Sequence, residues 1–182
     1  MSFSQKFQYY WQKFAEHEHR PDVAGEHPLG DLMQGILLLV FITGILIDRL
    51  LLKTNALLSP YIPLWARIVI TSILLGFAWK YAVNGLRTVF GEIREKPFII
   101  RDSVFAETRH PVYLGVILMY LALVVLSLSL IGAALWIVIA FYYHYLAVYE
   151  ERLLINMFGE EYQRYMQQVP IWLPRMRAPK LS

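Results

Sequence analysis

Four long apolar runs divide the chain, at about 32–52, 64–86, 112–126 and 130–149. Charged residues gather at their ends and in the stretches between them. Each run reads as a helix of about the length needed to cross a bilayer. Residues 55–63 form a turn region, in which Ser59-Pro60 and Pro63 break helix. A second, shorter turn at 127–132 joins the last two runs. The helix of the fourth run is expected to continue to Met157, with Gly159 placed to end it. Before the first run, Phe3, Phe7, Tyr10, Trp11 and Phe14 recur at helical spacing. That pattern reads as an amphipathic helix lying in the membrane interface, or equally as a helix packed on the membrane domain. No strand pattern exists. The expected fold is all-α: a single integral membrane domain over 1–182, with about four transmembrane helices, an N-terminal amphipathic helix and a helical C-terminal tail.

The last two runs form the informative part. From Arg109 to Ser127 a helix rises roughly 27 Å, and from Leu130 to Glu150 roughly 30 Å. With so tight a turn between them, an antiparallel hairpin brings His110 and Glu150 to one depth at one membrane boundary. Carboxylates there are costly unless paired or functional. Arg109 and His110 are the available neighbours. Adjacent helical residues point about 100° apart, so at most one of Glu150 and Glu151 is expected to face fully inward. His144 lies seven residues before Glu151, on the same helix face.

Composition agrees with a membrane protein. The chain is 57% hydrophobic, only 17% charged, and has a mean hydropathy of +0.43. A net charge of +3 is too small to suggest nucleic acid. The absence of cysteine excludes a disulfide, a thiolate nucleophile or a cysteine metal site. No apolar signal core precedes the first run. His17, His19 and His27 sit among charged residues, Pro and Gly, and fit no metal-ligand spacing closely. No metal is expected. Asp48 and Arg49 could pair or snorkel to the interface, and Lys80 reads as a snorkelling anchor near the end of the second run. Residues 87–108, with charges of both signs, read as a folded interfacial connector. A Rossmann-type cofactor site is excluded, because no Gly-x-Gly-x-x-Gly follows a strand.

Each polar residue at the open end of the hairpin also has a plainer reading. Glu150 and Glu151 could be a solvated helix end partnered by Arg152. His110 could simply cap a helix, Tyr162 and Tyr165 could anchor the interface, and His144 could be a hydrogen-bonded buried histidine.

The ordered set Arg109-His110-Pro111-Val112-Tyr113-Leu114-Gly115, then Glu150-Glu151-Arg152-Leu153-Leu154, then Phe158-Gly159-Glu160-Glu161-Tyr162-Gln163-Arg164-Tyr165 carries a resemblance. It resembles the isoprenylcysteine carboxyl methyltransferase family and its wider group of integral-membrane methyltransferases, which includes phospholipid methyltransferases. The resemblance covers about the C-terminal 90 residues. It implies S-adenosylmethionine as cofactor and a lipid-like methyl acceptor entering from the bilayer, with the cofactor and catalytic part at about 87–174. It also implies cofactor binding by His110, Pro111, Tyr113, Gly115, Glu150, Glu151, Tyr162 and Tyr165, and chemistry by Arg109, His110 and Glu151; His144, by its helix face alone, is a further catalytic candidate for the acceptor site. A glutamate suits the methionyl ammonium, and tyrosine faces suit the sulfonium. Gly115 permits close approach by the ligand or by a neighbouring helix. Arg109 could meet a cofactor carboxylate, an acceptor carboxylate, or the glutamates. An amine or phenol acceptor must lose a proton, which would call on His110, His144 or a glutamate.

The prenylcysteine enzymes carry an arginine a few residues before the glutamates. Here that stretch is Tyr143-His144-Tyr145-Leu146-Ala147-Val148. A prenylcysteine or isoprenoid carboxylate, a phospholipid amine, a phenolic lipid and a small thiol all stay open as acceptors. Two rival readings are a nicotinamide-dependent membrane reductase of the sterol type and a non-enzymatic scaffold.

Of the seventeen basic residues, fourteen lie in segments 1–30, 80–110 and 150–182, and three in 48–67. The positive-inside rule then puts both termini and the charged clusters on the cytoplasmic side, which is the inner membrane in a bacterium. Reporter fusions at residues 1 and 182 are expected to report a cytoplasmic location; an external residue 182 would overturn this orientation.

Overall fold

A computed structural model of the chain describes residues 30–90 and 98–174. The amphipathic helix expected at the N-terminus, the three N-terminal histidines and the middle of the connector lie outside the described residues. The described residues contain helices and no strand. Helix α1 (Gly30–Ile47) runs into a π-helical turn (Asp48–Leu52). The single turn α2 (Asn55–Leu58) leads to α3 (Leu64–Phe90). After a 3₁₀ turn (Ser103–Ala106) come α4 (Pro111–Ser127), α5 (Leu130–Phe158) and the short α6 (Glu160–Gln168).

The boundaries have local causes. Pro111 starts α4, where its missing N–H has no intrahelical partner to lose. Leu128, at φ 52°, ends it in the left-handed region. The Ser129 hydroxyl then accepts from the Gly132 N–H at 2.9 Å and caps α5. Gly159, at φ 57°, closes α5 as expected.

Three helices reach the length and apolarity of a membrane span: 32–52, 64–89 and 130–158. The expected four reduce to these three and a shorter apolar helix, α4, of 17 residues. The reason lies in its position. α4 packs against α3 on one side and α5 on the other, and of its large apolar side chains only Leu126 is exposed. The outer surfaces of the other three are openly apolar. Leu39, Trp79 and Phe141 are each more than two-thirds exposed, as suits side chains facing lipid.

Small residues let α3 and α4 approach closely. A Cβ built on Gly115 would lie 2.7 Å from the Ala82 nitrogen and 2.8 Å from the Ala78 carbonyl oxygen. On Gly85 it would lie 2.7 Å from Val112 Cγ2. With little hydrophobic gain from helix association inside lipid, such contacts supply dispersion and shape. α1 joins through Phe41, fully buried and edge-on to Tyr120 at 4.7 Å. Around these two rings gather Ile139, Tyr143 and Leu146 of α5.

At the end of the bundle opposite His110, Asp48 neither pairs with Arg49 nor snorkels. It is 1% exposed, and Arg49 points outward. Its carboxylate accepts from the Thr54 N–H at 3.0 Å, from the Thr54 hydroxyl at 2.6 Å and from the Ser129 hydroxyl. The π turn and the left-handed Lys53 double the chain back so that Thr54 can reach it. A buried carboxylate without a cation is thus satisfied by neutral donors, and α1 is tied to the α4–α5 turn.

Replacing Gly115 with Ala is expected to lower stability by about 1–3 kcal/mol, the usual range for overpacking. Gly76 lies on α3 as well, and a Cβ built there would meet nothing within 4 Å. Gly76→Ala should therefore leave the thermal midpoint in detergent unchanged or slightly raised. Equal midpoints for the two variants would contradict the close α3–α4 crossing.

Candidate active site

The hairpin does bring its two charged ends together. Arg109 and His110 lead into α4, and Glu150 and Glu151 lie near the end of α5. Arg109 Nε donates to Glu151 Oε1 at 2.7 Å, with about a tenth of either side chain exposed. Its NH1 donates to the carbonyls of Met166 at 2.9 Å and Val169 at 2.7 Å. Its backbone N–H donates to the Pro170 carbonyl at 3.0 Å. Of the three partners open to Arg109, the geometry shows the glutamates: through Glu151 and the tail carbonyls it clips the C-terminal tail to the hairpin.

His110 stands between the two carboxylates. Its Nε2 lies 3.1 Å from Glu151 Oε1, and its Nδ1 lies 3.6 Å from Glu150 Oε2. Its ring stacks parallel on Tyr113, 5.7 Å between centroids. The Tyr113 hydroxyl donates to Glu150. Burial by itself would lower the His110 pKa; the two glutamates outweigh it and hold the imidazole above its ordinary range. Both glutamates engage the cluster, and only Glu151 faces fully inward. Glu151 is locked between Arg109 and His110. Glu150 keeps about a quarter of its side chain exposed.

The remaining expected site residues divide. Pro111 is buried and starts α4. Gly115 meets α3, so its close approach serves the helix neighbour. Tyr162 and Tyr165 are each 3% exposed and pack with Val169. They are not interface anchors, and the Tyr165 hydroxyl donates to the Phe105 carbonyl at 2.7 Å, fastening the connector. Burial raises the pKa of both phenols, against the lowering effect of the nearby Arg109 charge. Neither ring lies open to a cofactor here. His144 is exposed and touches neither glutamate in any described contact. It is hydrogen-bonded, but to Trp172, whose Nε1 donates to His144 Nδ1 at 3.2 Å.

Sequence reasoning missed three contributors. The Thr108 hydroxyl, fully buried, donates to the Ile171 carbonyl at 2.8 Å. Trp172 sits 6.2 Å from both His110 and His144. Lys80, read as a snorkelling anchor, instead meets both oxygens of Glu107 at 2.8 and 2.7 Å, and Tyr81 donates to the same carboxylate. Burial of Glu107 would raise its pKa, but Lys80 and Tyr81 lower it. The Glu107 carboxylate, two residues before Arg109, pins the approach to α4. An isolated Trp or Thr carries no pattern from which these contacts could be read. The charges of Lys80 and Glu107 were visible but their pairing, 27 residues apart, was not.

The described residues form an all-helical bundle with apolar, membrane-length helices, and its Arg-His-Pro entry and Glu-Glu exit meet at one end of the α4–α5 hairpin. The phospholipid methyltransferase family matches residues 64–161, more than half of the chain, and the chain belongs to that family. The match includes α3, α4 and α5 and with them the whole Arg109–Glu151 cluster. No curated protein matches the chain.

A raised His110 pKa has a signed consequence. Its contribution to stability is fully present below the ordinary value of 6.5 and is lost as pH rises through the higher folded value. The difference in thermal midpoint between wild type and His110→Gln is expected to be largest at pH 6 and to shrink toward pH 9. A gap that grows with pH would contradict an imidazolium held by Glu150 and Glu151.

Proposed function

We propose that this protein transfers a methyl group from S-adenosylmethionine to a lipid-like acceptor that reaches the site from the bilayer, on the cytoplasmic side. The family supports methyl transfer in a membrane, and the basic-residue asymmetry supports the side. The observation that carries the cofactor reading is the difference between the two glutamates. Glu151 is committed to Arg109 and His110, whereas Glu150 is held by Tyr113 with part of its carboxylate open. Glu150, its side chain about a quarter exposed, then offers a carboxylate that complements the ammonium of an amino-acid end. The Tyr113 ring, stacked on His110, offers a face to a cation.

S-adenosylmethionine, when bound, supplies an activated methyl carbon. The chain's own residues need to orient the partners and exclude water. Arg109 and Thr108 hold the tail segment 169–172 over the cluster. Both His110 ring nitrogens already face Glu150 and Glu151, so neither is free to take a proton from the acceptor. A carboxylate acceptor needs no base, and an amine can enter as its free base. Prenylcysteine or isoprenoid carboxylates and phospholipid amines are thus favoured over phenolic lipids. Between Tyr113 and Tyr143 the hairpin is apolar, aromatic or small, so the acceptor's apolar part belongs in the bilayer. The sterol-reductase and scaffold readings have no comparable support, because the family match is to methyltransferases.

Glu150→Gln is expected to weaken S-adenosylmethionine binding by about 1.5–3 kcal/mol, the loss of one hydrogen bond to a charged group, with little change in thermal midpoint. Glu151→Gln should instead lower the midpoint, because it leaves Arg109 buried without its charge partner. Calorimetric titration and melting in detergent measure the two. Undiminished binding by Glu150→Gln would sink the assignment.

A further inference from the structure

The Trp172–His144 pair lies outside the clustered charges, and its geometry specifies a chemistry. The tail carbonyls just before Trp172 are fixed: Pro170 by the Arg109 N–H and Ile171 by the Thr108 hydroxyl. The indole is half-buried against the cluster that holds Tyr120 and Tyr143, and its N–H donates to His144 Nδ1. A ring whose Nδ1 accepts a hydrogen bond is neutral and carries its proton on Nε2. His144 can therefore donate from Nε2 but is poorly set to act as a base. That N–H has no protein partner among the described residues. It projects from the exposed side of α5, about 10 Å deeper along the helix than Glu151. A donor left unmet at that depth is costly in lipid, so an oxygen from the lipid phase is the complementary group.

We propose that Trp172 and His144 form the acceptor-recognition element: Trp172 fixes the His144 tautomer, and the His144 Nε2–H binds an oxygen in the polar linkage between the acceptor's reacting head and its apolar chain. This deepens the methyltransferase reading and rests on it. The oxygen belongs to an ester carbonyl or to a phosphodiester, two sources of the same hydrogen-bond acceptor. Trp172 acts through His144 and is a positioning residue. His144 is a specificity residue and not the proton acceptor that its sequence position suggested.

The test uses the full chain in detergent as wild type, His144→Phe, His144→Gln and Trp172→Phe. Imidazole ¹⁵N spectra should show one ring, absent in His144→Phe, with Nδ1 bare and Nε2 protonated, and Trp172→Phe should blur that preference. Adding diacyl phosphatidylethanolamine or its dialkyl ether analogue should move the Nε2 signal. A shift with the diacyl lipid alone assigns the carbonyl, and a shift with both assigns the phosphate. In methylation assays His144→Phe should raise the acceptor KM about three- to tenfold, the value of one neutral hydrogen bond, at unchanged S-adenosylmethionine KM. Gln, whose amide N–H can take the place of Nε2–H, should restore much of it. A ring protonated on Nδ1, an Nε2 signal unmoved by either lipid, or an unchanged acceptor KM would overturn the proposal. Calorimetry with S-adenosylmethionine is read separately: absent binding in wild type would defeat the cofactor reading, while the ring spectra still decide this one.

Discussion

The buried pair between Arg109 and Glu151 is the contact on which the rest of the site depends. Desolvating two charges is expensive, and such a pair contributes only if the remaining hydrogen-bonding capacity is used. Here the carbonyls of Met166 and Val169 take further guanidinium N–H groups, and His110 shares the carboxylate. Three separate pieces of chain, the start of α4, the end of α5 and the tail after α6, are thereby fixed to one another. Removing one member would leave the others charged, buried and unmet, which makes the arrangement specific as well as cohesive.

That clip divides the labour between adjacent glutamates. Glu151 is drawn inward and used up by the fold, and Glu150, next along the helix, reaches the same histidine from a more open position. A helix turns about 100° per residue, so two consecutive carboxylates can share one partner only if that partner sits between their directions. His110 does so because it precedes Pro111 at the very start of α4, outside the helix and level with the last turns of α5. A local pattern, Glu-Glu, acquires two different environments around one neighbour.

The far end of the bundle uses another solution to the same cost. Asp48 has no cation and is satisfied by hydroxyls and one backbone N–H. Ser129 serves twice, donating to Asp48 and capping α5. Between these polar ends α4 is held by small-residue contacts at Gly115, by aromatic packing around Tyr120, and by the Thr71 hydroxyl and Trp136 Nε1–H donating to the Ala122 and Ile117 carbonyls. The charged chemistry and the lipid-facing surface are thus kept on different parts of the same helices.

The apolar runs, the hairpin and the shared depth of His110 and Glu150 were legible in the chain, because run length and helical rise are local properties. So were the ends of α4 and α5, set by Pro111 and Gly159, whose backbone preferences need no partner. What the tertiary structure decided were the matters of rotation and distant pairing. Glu151 and His144 share one helix face, yet the first is closed in by Arg109 and His110 while the second, meeting only Trp172, stays exposed. Asp48 meets Ser129, 81 residues on, and Lys80 meets Glu107, 27 residues on, and nothing local distinguishes these partners from Arg49 or from water. Even the status of α4 as a short inner helix depends on α3 and α5 flanking it. Hydrophobic periodicity specifies which segments leave water; only packing among those segments determines which polar groups they leave facing one another.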